Sequence, residues 1–322
     1  MQDNSDSTPI KIGISGCLLG EKIRWDTSHK FDPYINGTLA RYFSFHPYCP
    51  EMGIGLGTPR DPINLYRTDD KVQALVAGSP ETDHTVALED YAKKISPILF
   101  ELSGFISKSG SPSCGFNSTK VFRLKGGGPP WKNEMGVFMR AIKAIVPHLP
   151  LVEEEMLGIS ASRDSFLERV FAYHHWQKET RKSFSVESLQ AFHNRFQYNL
   201  LARSPEDRDR LQAIIDDHHS REFGEVKTDY IQQFMEVLSV DVPVKNHTKV
   251  FRALLGQLKP FLTSQEKQEI KESLEIYRKG QTPRVVTLAL FQHYFKRHPN
   301  PEFRDRYYLY PEQKNLLSQF GN

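Results

Sequence analysis

The segment KIGISGCLLG, residues 11–20, decides the fold of the first half of the chain. It alternates apolar and small residues and ends in glycine, a pattern typical of a strand followed by a tight turn. Similar runs occur in FSFHPYCPEMG, residues 43–53, and in LFELSGFISKSGSPSCG, residues 99–115. Each of the three segments predicts a strand with a cysteine at its carboxyl end.

A helix is predicted between the second and third of these strands. The segment VALEDYAKKISPILFEL, residues 86–102, has the apolar spacing of an amphipathic helix. Strands that alternate with helices indicate an α/β domain with a parallel, Rossmann-like sheet. Ligands bind outside the carboxyl ends of such strands, so we expect Cys17, Cys49 and Cys114 to meet at one edge of the sheet.

The second half of the chain has a different pattern. From about residue 161 onward, apolar residues recur every three to four positions with few interruptions, which predicts an all-α domain. Ser204, followed by Pro205 and Glu206, is a favourable helix start. We therefore expect an α/β domain at residues 1–160 and a helical domain at residues 161–322. The predicted helices cover residues 165–179, 185–202, 204–219, 230–240, 250–262 and 264–280.

Length and composition are those of an ordinary globular protein. The 322 residues allow two domains, and 39% of them are hydrophobic and 25% charged. No apolar run approaches the roughly 18 residues of a membrane span, and the start MQDNSDSTPI is polar and acidic. We expect a cytoplasmic protein without a membrane partner.

The charge distribution differs between the halves. The net charge is +3, with −1 over residues 1–160 and +4 over the remainder, which also holds 8 of the 12 histidines. This asymmetry is compatible with an anionic partner for the second half. A solvated helical domain without such a partner often has the same distribution.

The three cysteines are the strongest candidates for chemistry. An odd number of thiols in a reducing compartment argues against a disulfide framework. Their separations of 32 and 65 residues lack the C-x-x-C spacing of common zinc sites. A Cys₃His zinc site with His29 or His46, three unrelated buried thiols, and an iron–sulfur cluster with one iron free of protein ligands all remain open at this point.

Three segments resemble the signature segments of the thiouracil desulfidase family. They are SGCLLGEKIRWDTSHK, CPEMGIGLGTPRDP and SKSGSPSCG, and the resemblance covers about residues 10–160. The second half is similar to a helical domain often fused to that family, on FHNRFQYNLLARSPEDRDRL and LFQHYFKRHPNPEFRDRYYLYP. Such fusions resemble tRNA 4-thiouridine desulfidases.

The resemblance implies a cofactor and a reaction. The family has a [4Fe-4S] cluster with three cysteine ligands and one open iron, which places the ligands here at Cys17, Cys49 and Cys114. It implies Glu51 as general acid/base and Ser111 as a group that positions or relays a proton. By this resemblance the substrate sulfur would bind the open iron, and Glu51 would deprotonate the water that attacks the ring carbon. The reaction is hydrolytic and gives uridine and sulfide without an electron donor.

Each of these roles has a structural alternative. Glu51 beside a proline could cap the next helix, and Ser111 in a Ser/Gly loop could form a turn. Arg24 and Asp26 are candidates for substrate binding, or they pair with each other.

Thiolated tRNA is the partner that the resemblance implies for the second half. Arg195 and Arg203, near His193 and Tyr198, are candidate phosphate contacts. Ordinary solvated side chains are the more frequent explanation. Gln197 stands where the helical family usually has lysine, and Arg203 where it usually has histidine, which weakens the individual assignments.

Two other functions compete with tRNA desulfuration. One is the same chemistry on free thiolated nucleosides or bases such as 2-thiouracil, for salvage or detoxification. The other is a non-catalytic tRNA- or protein-binding module with a structural metal site, although structural sites normally have four ligands. The sequence leaves the oligomeric state open.

Overall fold

The chain forms two compact units, residues 1–166 and 167–322. The computed structural model describes residues 9–68, 71–124 and 129–312. The first unit is α/β with a parallel sheet and the second is helical, which confirms the predicted fold class. The division falls within the helix Ser160–Thr180, close to the predicted boundary at residue 160.

Two sheets lie in the first unit. Its described strands are β1 (Ile10–Ser15), β2 (Phe43–Tyr48), β3 (Ile63–Thr68), β4 (Lys71–Val76), β5 (Ser79–Asp83), β6 (Gly104–Ser107), β7 (Thr119–Arg123), β8 (Trp131–Glu134) and β9 (Leu151–Glu153). One sheet has the order β2-β1-β6-β9 with every pair parallel. The other has the order β5-β4-β3-β7-β8 and is mixed. The strands predicted before the three cysteines are β1, β2 and β6.

The helices of the first unit are short. They are α1 (Pro33–Gly37), α2 (Pro50–Gly53), α3 (Thr85–Lys94), α4 (Ser96–Leu99) and α5 (Val137–Ile145). The helix predicted over residues 86–102 is two helices, α3 and α4, because Pro97 lacks the N–H that would continue the first one.

An aromatic cluster packs helices α3 and α5 against the parallel sheet. Phe105 of β6 stacks on Tyr48 of β2 at 5.8 Å between ring centroids, and it contacts Phe138 of α5 edge-on at 6.3 Å. Phe138 in turn contacts Tyr91 of α3. Gly13 of β1 has no room for a side chain because the Phe105 ring lies against it. This packing fixes the strand ends that carry the cysteines.

Seven longer helices follow in the part of the chain that the structure describes. They are α6 (Ser160–Thr180), α7 (Val186–Arg203), α8 (Pro205–Asp216), α9 (Phe223–Leu238), α10 (Val244–Leu258), α11 (Ser264–Arg278) and α12 (Arg284–Arg297). The predicted start at Ser204 is confirmed, since its side chain accepts the N–H of Asp207 at 3.0 Å. Among the described residues, none of the helices is long and apolar enough to cross a membrane.

Candidate active site

Three cysteines line one cavity of about 390 Å³ in the first unit. Cys49 follows β2 directly, Cys17 lies two residues after the end of β1, and Cys114 lies in the loop after β6. These strands are adjacent and parallel, so their carboxyl ends meet at the same edge of the sheet. All three thiols are free of disulfides. The structure thus brings together the three residues that the sequence placed at strand ends.

The thiols are shielded from solvent. Burial raises the pKa of Cys17 to about 11, and the nearby cations of Arg24 and Lys108 oppose this rise. Burial also raises the pKa of Cys49, and raises that of Cys114 well above its usual range. Burial therefore favours the protonated thiols, and a metal bound by them would have to displace protons.

The loop that carries Cys114 is held on two sides. The N–H groups of Val137 and Met139, in the first turn of α5, donate to the carbonyls of Pro112 and Ser113 at 3.0 and 3.2 Å. Glu153, at the end of β9, accepts from the backbone N–H groups of residues 116 and 117 and from the Ser118 hydroxyl. These bonds fix the position of Cys114 without touching its sulfur.

Glu51 points into the cavity and is held by two side chains. It lies in α2, two residues after Cys49, and its Oε2 accepts from Nε and Nη2 of Arg60 at 2.8 and 2.7 Å. Its Oε1 accepts from the Ser113 hydroxyl at 2.8 Å. The carboxylate is therefore not a helix cap, and Cys49 occupies the N-cap position of α2. Oε1 keeps a free lone pair that could accept a proton.

Ser111 forms the turn that precedes Cys114. Its Oγ accepts from the backbone N–H groups of Cys114 and Ser113 at 3.0 and 3.3 Å. Ser111 also lines the cavity, so its hydroxyl proton remains available for a ligand. The structure accordingly shows the turn-forming role and leaves the proton-relay role as a prediction.

Arg24 and Asp26 pair with each other beside the cavity. Arg24 Nε lies 3.7 Å from Asp26 Oδ1 and donates to the Ser28 hydroxyl at 3.2 Å. Asp26 closes the same turn by accepting the N–H of Ser28 at 3.1 Å. Arg24 lines the cavity, whereas the carboxylate of Asp26 is engaged in the turn. A substrate contact stays a prediction for Arg24 and is not supported for Asp26.

A mononuclear zinc site is not supported. Within the described ranges, no three side chains of His, Cys, Asp or Glu lie close enough together to hold one metal ion. His29, one of the two candidate fourth ligands, is exposed and uses Nδ1 to accept the N–H of Phe31.

Arg203 is buried in the second unit, where the sequence analysis expected a phosphate contact. Only 3% of its side chain is exposed, and Nη1 and Nη2 contact the two carboxylate oxygens of Glu168 at 3.2 and 3.3 Å. Glu168 also accepts from Asn199 at 2.7 Å. Although burial opposes it, the guanidinium groups of Arg203 and Arg284 hold the pKa of Glu168 below its ordinary value. An RNA contact by Arg203 is therefore not supported, because the guanidinium belongs to the interior of the helical unit.

Arg195 lies closer to the surface. A third of its side chain is exposed, and Nη2 contacts Glu312 and His175, each at 3.1 Å. His193 is buried and contacts the Tyr230 hydroxyl at 3.2 Å, so it is not a surface ligand. Arg195 remains the candidate for a phosphate contact among these residues.

Arg60, Ser113 and Lys108 were not singled out by the sequence analysis. Arg60 lies in the loop GIGLGTPRDP, and an isolated basic residue in such a loop has no periodic signal. Lys108 lines the cavity and forms a buried ion pair with Glu154. The position of Arg60 and Ser113 within the quoted motifs is the one signal that could have identified them.

Two family models match this chain. Residues 197–312 match a family described as a protein of unknown function, DUF1722. Residues 12–155 match the 2-thiouracil desulfurase family. The resemblance predicted for each half of the chain is thereby confirmed. The desulfurase match includes all three cysteines, Glu51 and Ser111.

Two relatives are also similar. The uncharacterized protein YbgA of Escherichia coli K12 is 28% identical over 156 residues, which are 48% of this chain and 92% of that protein. A solved structure described as the [4Fe-4S]-dependent thiouracil desulfidase TudS is 24% identical, covers 46% of this chain and 93% of its own, and has a TM-score of 0.37.

Proposed function

We propose that the first unit is an iron–sulfur-dependent desulfidase that removes sulfur from a thiolated pyrimidine, with a free base such as 2-thiouracil as substrate. One observation carries the proposal: Cys17, Cys49 and Cys114 line a single cavity together with a fixed carboxylate, Glu51. The sequence analysis expected a tRNA substrate. We prefer the alternative, a free base, because the description of the matching family names 2-thiouracil.

The donor set fits a [4Fe-4S] cluster. Three soft sulfur ligands come from three separate loops, and cysteine thiolates are the usual ligands of such clusters. The ligands of one cluster bind different irons, so they need not converge on a single ion. When bound by three cysteines, the cluster supplies one iron without a protein ligand, a Lewis acid for a thiocarbonyl sulfur.

The protein supplies the base. Glu51 is held by Arg60 and Ser113, so its carboxylate faces the cavity in one orientation. In this proposal it accepts a proton from the water that adds to the C=S carbon, and the C–S bond then breaks. Water replaces the sulfur, so thiouracil and water give uracil and hydrogen sulfide. No electron is gained or lost, and the reaction needs no reductant.

Burial prepares the cavity for this chemistry. Cys17 and Cys114 are buried, and water-poor surroundings strengthen the electrostatic interactions of a charged site. The buried Lys108, paired with Glu154, adds a fixed cation on the Cys17 side of the cavity. A positive group there, partly offset by Glu154, stabilises the negative charge that develops as sulfide is released.

The test is turnover by anaerobically reconstituted protein. Protein loaded with iron and sulfide is incubated with 2-thiouracil, and uracil and sulfide are measured together with cluster absorbance. We expect equal amounts of uracil and sulfide without added reductant. Turnover by protein stripped of iron, or a requirement for an electron donor, would contradict the proposal.

A second candidate substrate is 4-thiouridine in tRNA. The observation that favours it is the additional helical unit, residues 167–322, which matches a family of its own. A small base requires no such platform. Comparing kcat/KM for thiolated tRNA, free 4-thiouridine and 2-thiouracil separates the two substrates. Preference for tRNA that weakens steeply with salt favours this second candidate, because phosphate contacts release counterions.

The charge-reversal variant Arg195→Glu makes this comparison specific. Arg195 is the partly exposed candidate contact, whereas the exposed Arg210 pairs with Asp207 on α8 and has no predicted RNA contact. For a tRNA substrate, Arg195→Glu lowers kcat/KM on tRNA but not on 2-thiouracil, and Arg210→Glu serves as the matched control. Equal effects of both variants would remove Arg195 from the RNA contacts.

A further inference from the structure

Trp25 is an exposed aromatic residue at the cavity of the three cysteines. Its exposed fraction is 44%, and it lines the same cavity as Cys17, Cys49 and Glu51. Single exposed aromatic residues are common on protein surfaces, so exposure alone indicates nothing. The position of this indole beside the candidate catalytic groups is what requires an explanation.

The backbone around Trp25 is fixed although the ring is exposed. Trp25 lies in a tight turn in which the N–H of Thr27 donates to the carbonyl of Arg24 at 3.0 Å. Arg60, from another loop, also binds this turn. Its backbone N–H donates to the Trp25 carbonyl at 3.0 Å, and its Nη2 donates to the Ile23 carbonyl at 3.0 Å. The backbone that carries the indole is therefore held in place rather than part of a loose loop.

Asn64 brings a free amide to the same cavity. It lies in β3, where its neighbours Ile63 and Leu65 are buried in the core, and it lines the cavity. Within the described part of the chain, no hydrogen bond engages its side-chain amide. Glu51 and Lys108, by contrast, are paired within the protein. An amide without a partner offers one acceptor and one or two donors to a ligand.

We propose that Trp25 stacks on the pyrimidine ring and that Asn64 recognises its imide edge. This inference rests on the proposed function and identifies two specificity-determining residues for it. The N–H at ring position 3 donates to Oδ1 of Asn64, and the adjacent carbonyl oxygen of the base accepts from Nδ2. In a pyrimidine this N–H lies between ring positions 2 and 4. Whichever of the two carries sulfur, the other presents an oxygen beside the same N–H.

With this pairing one pocket could bind either a 2-thio or a 4-thio pyrimidine, and it would disfavour other thiocarbonyl compounds. A site built to bind an N–H group discriminates strongly against an analogue without it, because its own polar group is then left unpaired. Stacking on an aromatic ring adds affinity for any flat base and does not discriminate between bases. Together the two residues select a pyrimidine with an unsubstituted N3.

The experiment measures KM, kcat and the affinity for the product uracil in the cluster-loaded protein. Trp25→Ala should raise KM about 10-fold with little change in kcat, since stacking is worth roughly 1–3 kcal/mol per base. Trp25→Phe should restore most of the affinity. Trp131→Ala is the matched control, because Trp131 belongs to the same unit, is 41% exposed and lies on β8 outside the cavity lining.

A substrate change tests Asn64. Methylation of N3 in 2-thiouracil should raise the wild-type KM by roughly 10-fold or more, because the N–H donor is lost. Asn64→Ala should raise the KM for 2-thiouracil and bring the ratio between the methylated and unmethylated substrates close to one. The affinity for uracil, measured by calorimetry, should fall in both Trp25→Ala and Asn64→Ala, independently of turnover.

The outcomes separate this inference from the proposed function. Normal turnover with wild-type KM and uracil affinity in Trp25→Ala and Asn64→Ala would overturn the inference and leave the desulfidase proposal intact. Undiminished discrimination against N3-methyl-2-thiouracil in Asn64→Ala would overturn the role of Asn64. A cluster-loaded wild-type protein that binds uracil but releases no sulfide would contradict the proposed function instead.

Discussion

Two nitrogens of Arg60 contact the carboxylate of Glu51, Nε at 2.8 Å and Nη2 at 2.7 Å from Oε2. Both side chains are largely buried, and Arg60 also binds the Ile23 carbonyl of the loop that follows Cys17. A planar guanidinium can satisfy several acceptors in a fixed geometry, which lysine cannot do. One side chain thus connects the predicted base to a loop that lines the cavity.

Replacement of Arg60 should lower kcat without loss of iron. In Arg60→Gln the carboxylate of Glu51 loses its charged partner and its fixed orientation, and a misplaced base typically costs about 10- to 100-fold in rate. Arg60→Lys should restore only part of the activity. Arg67→Gln is the control, because Arg67 is exposed and lies 3.8 Å from Glu134 on the second sheet. Wild-type kcat in Arg60→Gln would show that Glu51 needs no such support.

The hydroxyls of Ser111 and Ser113 should have different effects. Ser113 donates to Glu51, so Ser113→Ala should reduce turnover and keep the bound iron. Ser111 accepts the N–H of Cys114, so Ser111→Ala should loosen the ligand loop and speed the loss of iron. Iron release to a chelator, followed over time beside turnover, distinguishes the two. The same iron-release rate in both variants would refute this division of roles.

The buried pair Glu168–Arg203 should stabilise the helical unit rather than bind RNA. Glu168→Gln leaves the guanidinium of Arg203 buried without its counter-charge, which typically costs about 3–5 kcal/mol in the free energy of unfolding. Asp209→Asn is the control, because its pair with Arg208 is exposed and should contribute little. Urea unfolding followed by the emission of Trp176, which is buried in the helical unit, measures both. An unchanged unfolding midpoint in Glu168→Gln would be incompatible with this role.

Acid should destabilise the helical unit at a pH above the range in which carboxylates become protonated. Burial lowers the pKa of His174 and His193 to about 4 and that of His247 to about 3. Unfolded histidines titrate near 6.5, so below this pH the unfolded chain binds protons that the folded unit does not. Stability therefore falls as the pH falls from about 6.5 toward 4.

Urea unfolding at pH 7.5 and pH 5.5, followed by Trp176 emission, tests this expectation. Each histidine changes the unfolding constant by up to about tenfold per pH unit within the window. His193→Gln should reduce the dependence on pH. An unfolding midpoint that is the same at both pH values would contradict the assignment of neutral, buried histidines.

The sequence predicted those strands and helices whose apolar residues recur in a regular pattern. Strands β1, β2 and β6 each precede a cysteine, and the helices of the second half follow an apolar period of three to four residues. The mixed sheet was not predicted. Its strand β5, SPETD, is almost wholly exposed, so it lacks the alternation of buried and exposed residues that marks a strand.

The candidate ligands could be located from the sequence, whereas the residues that support the site could not. Cys17, Cys49 and Cys114 are few in number and follow strands, so topology alone brings them to one edge. Arg60 reaches Glu51 from a loop, and its role depends on a local bond to residue 57 and a tertiary contact to residue 23. Arg203 was expected at the surface because it is a basic residue near a helix end. It is buried instead, paired with Glu168 on another helix.

Iron content and turnover in matched variants test the central claim most directly. Anaerobically reconstituted wild-type protein, the three single Cys→Ala variants and Glu51→Gln are assayed together for iron, sulfide and conversion of 2-thiouracil. We predict that each cysteine variant loses most of its iron and all activity. Glu51→Gln should keep wild-type iron while turnover falls by about 10²-fold or more, the typical contribution of a general base. Full iron and activity in any cysteine variant, or wild-type turnover in Glu51→Gln, would contradict the account.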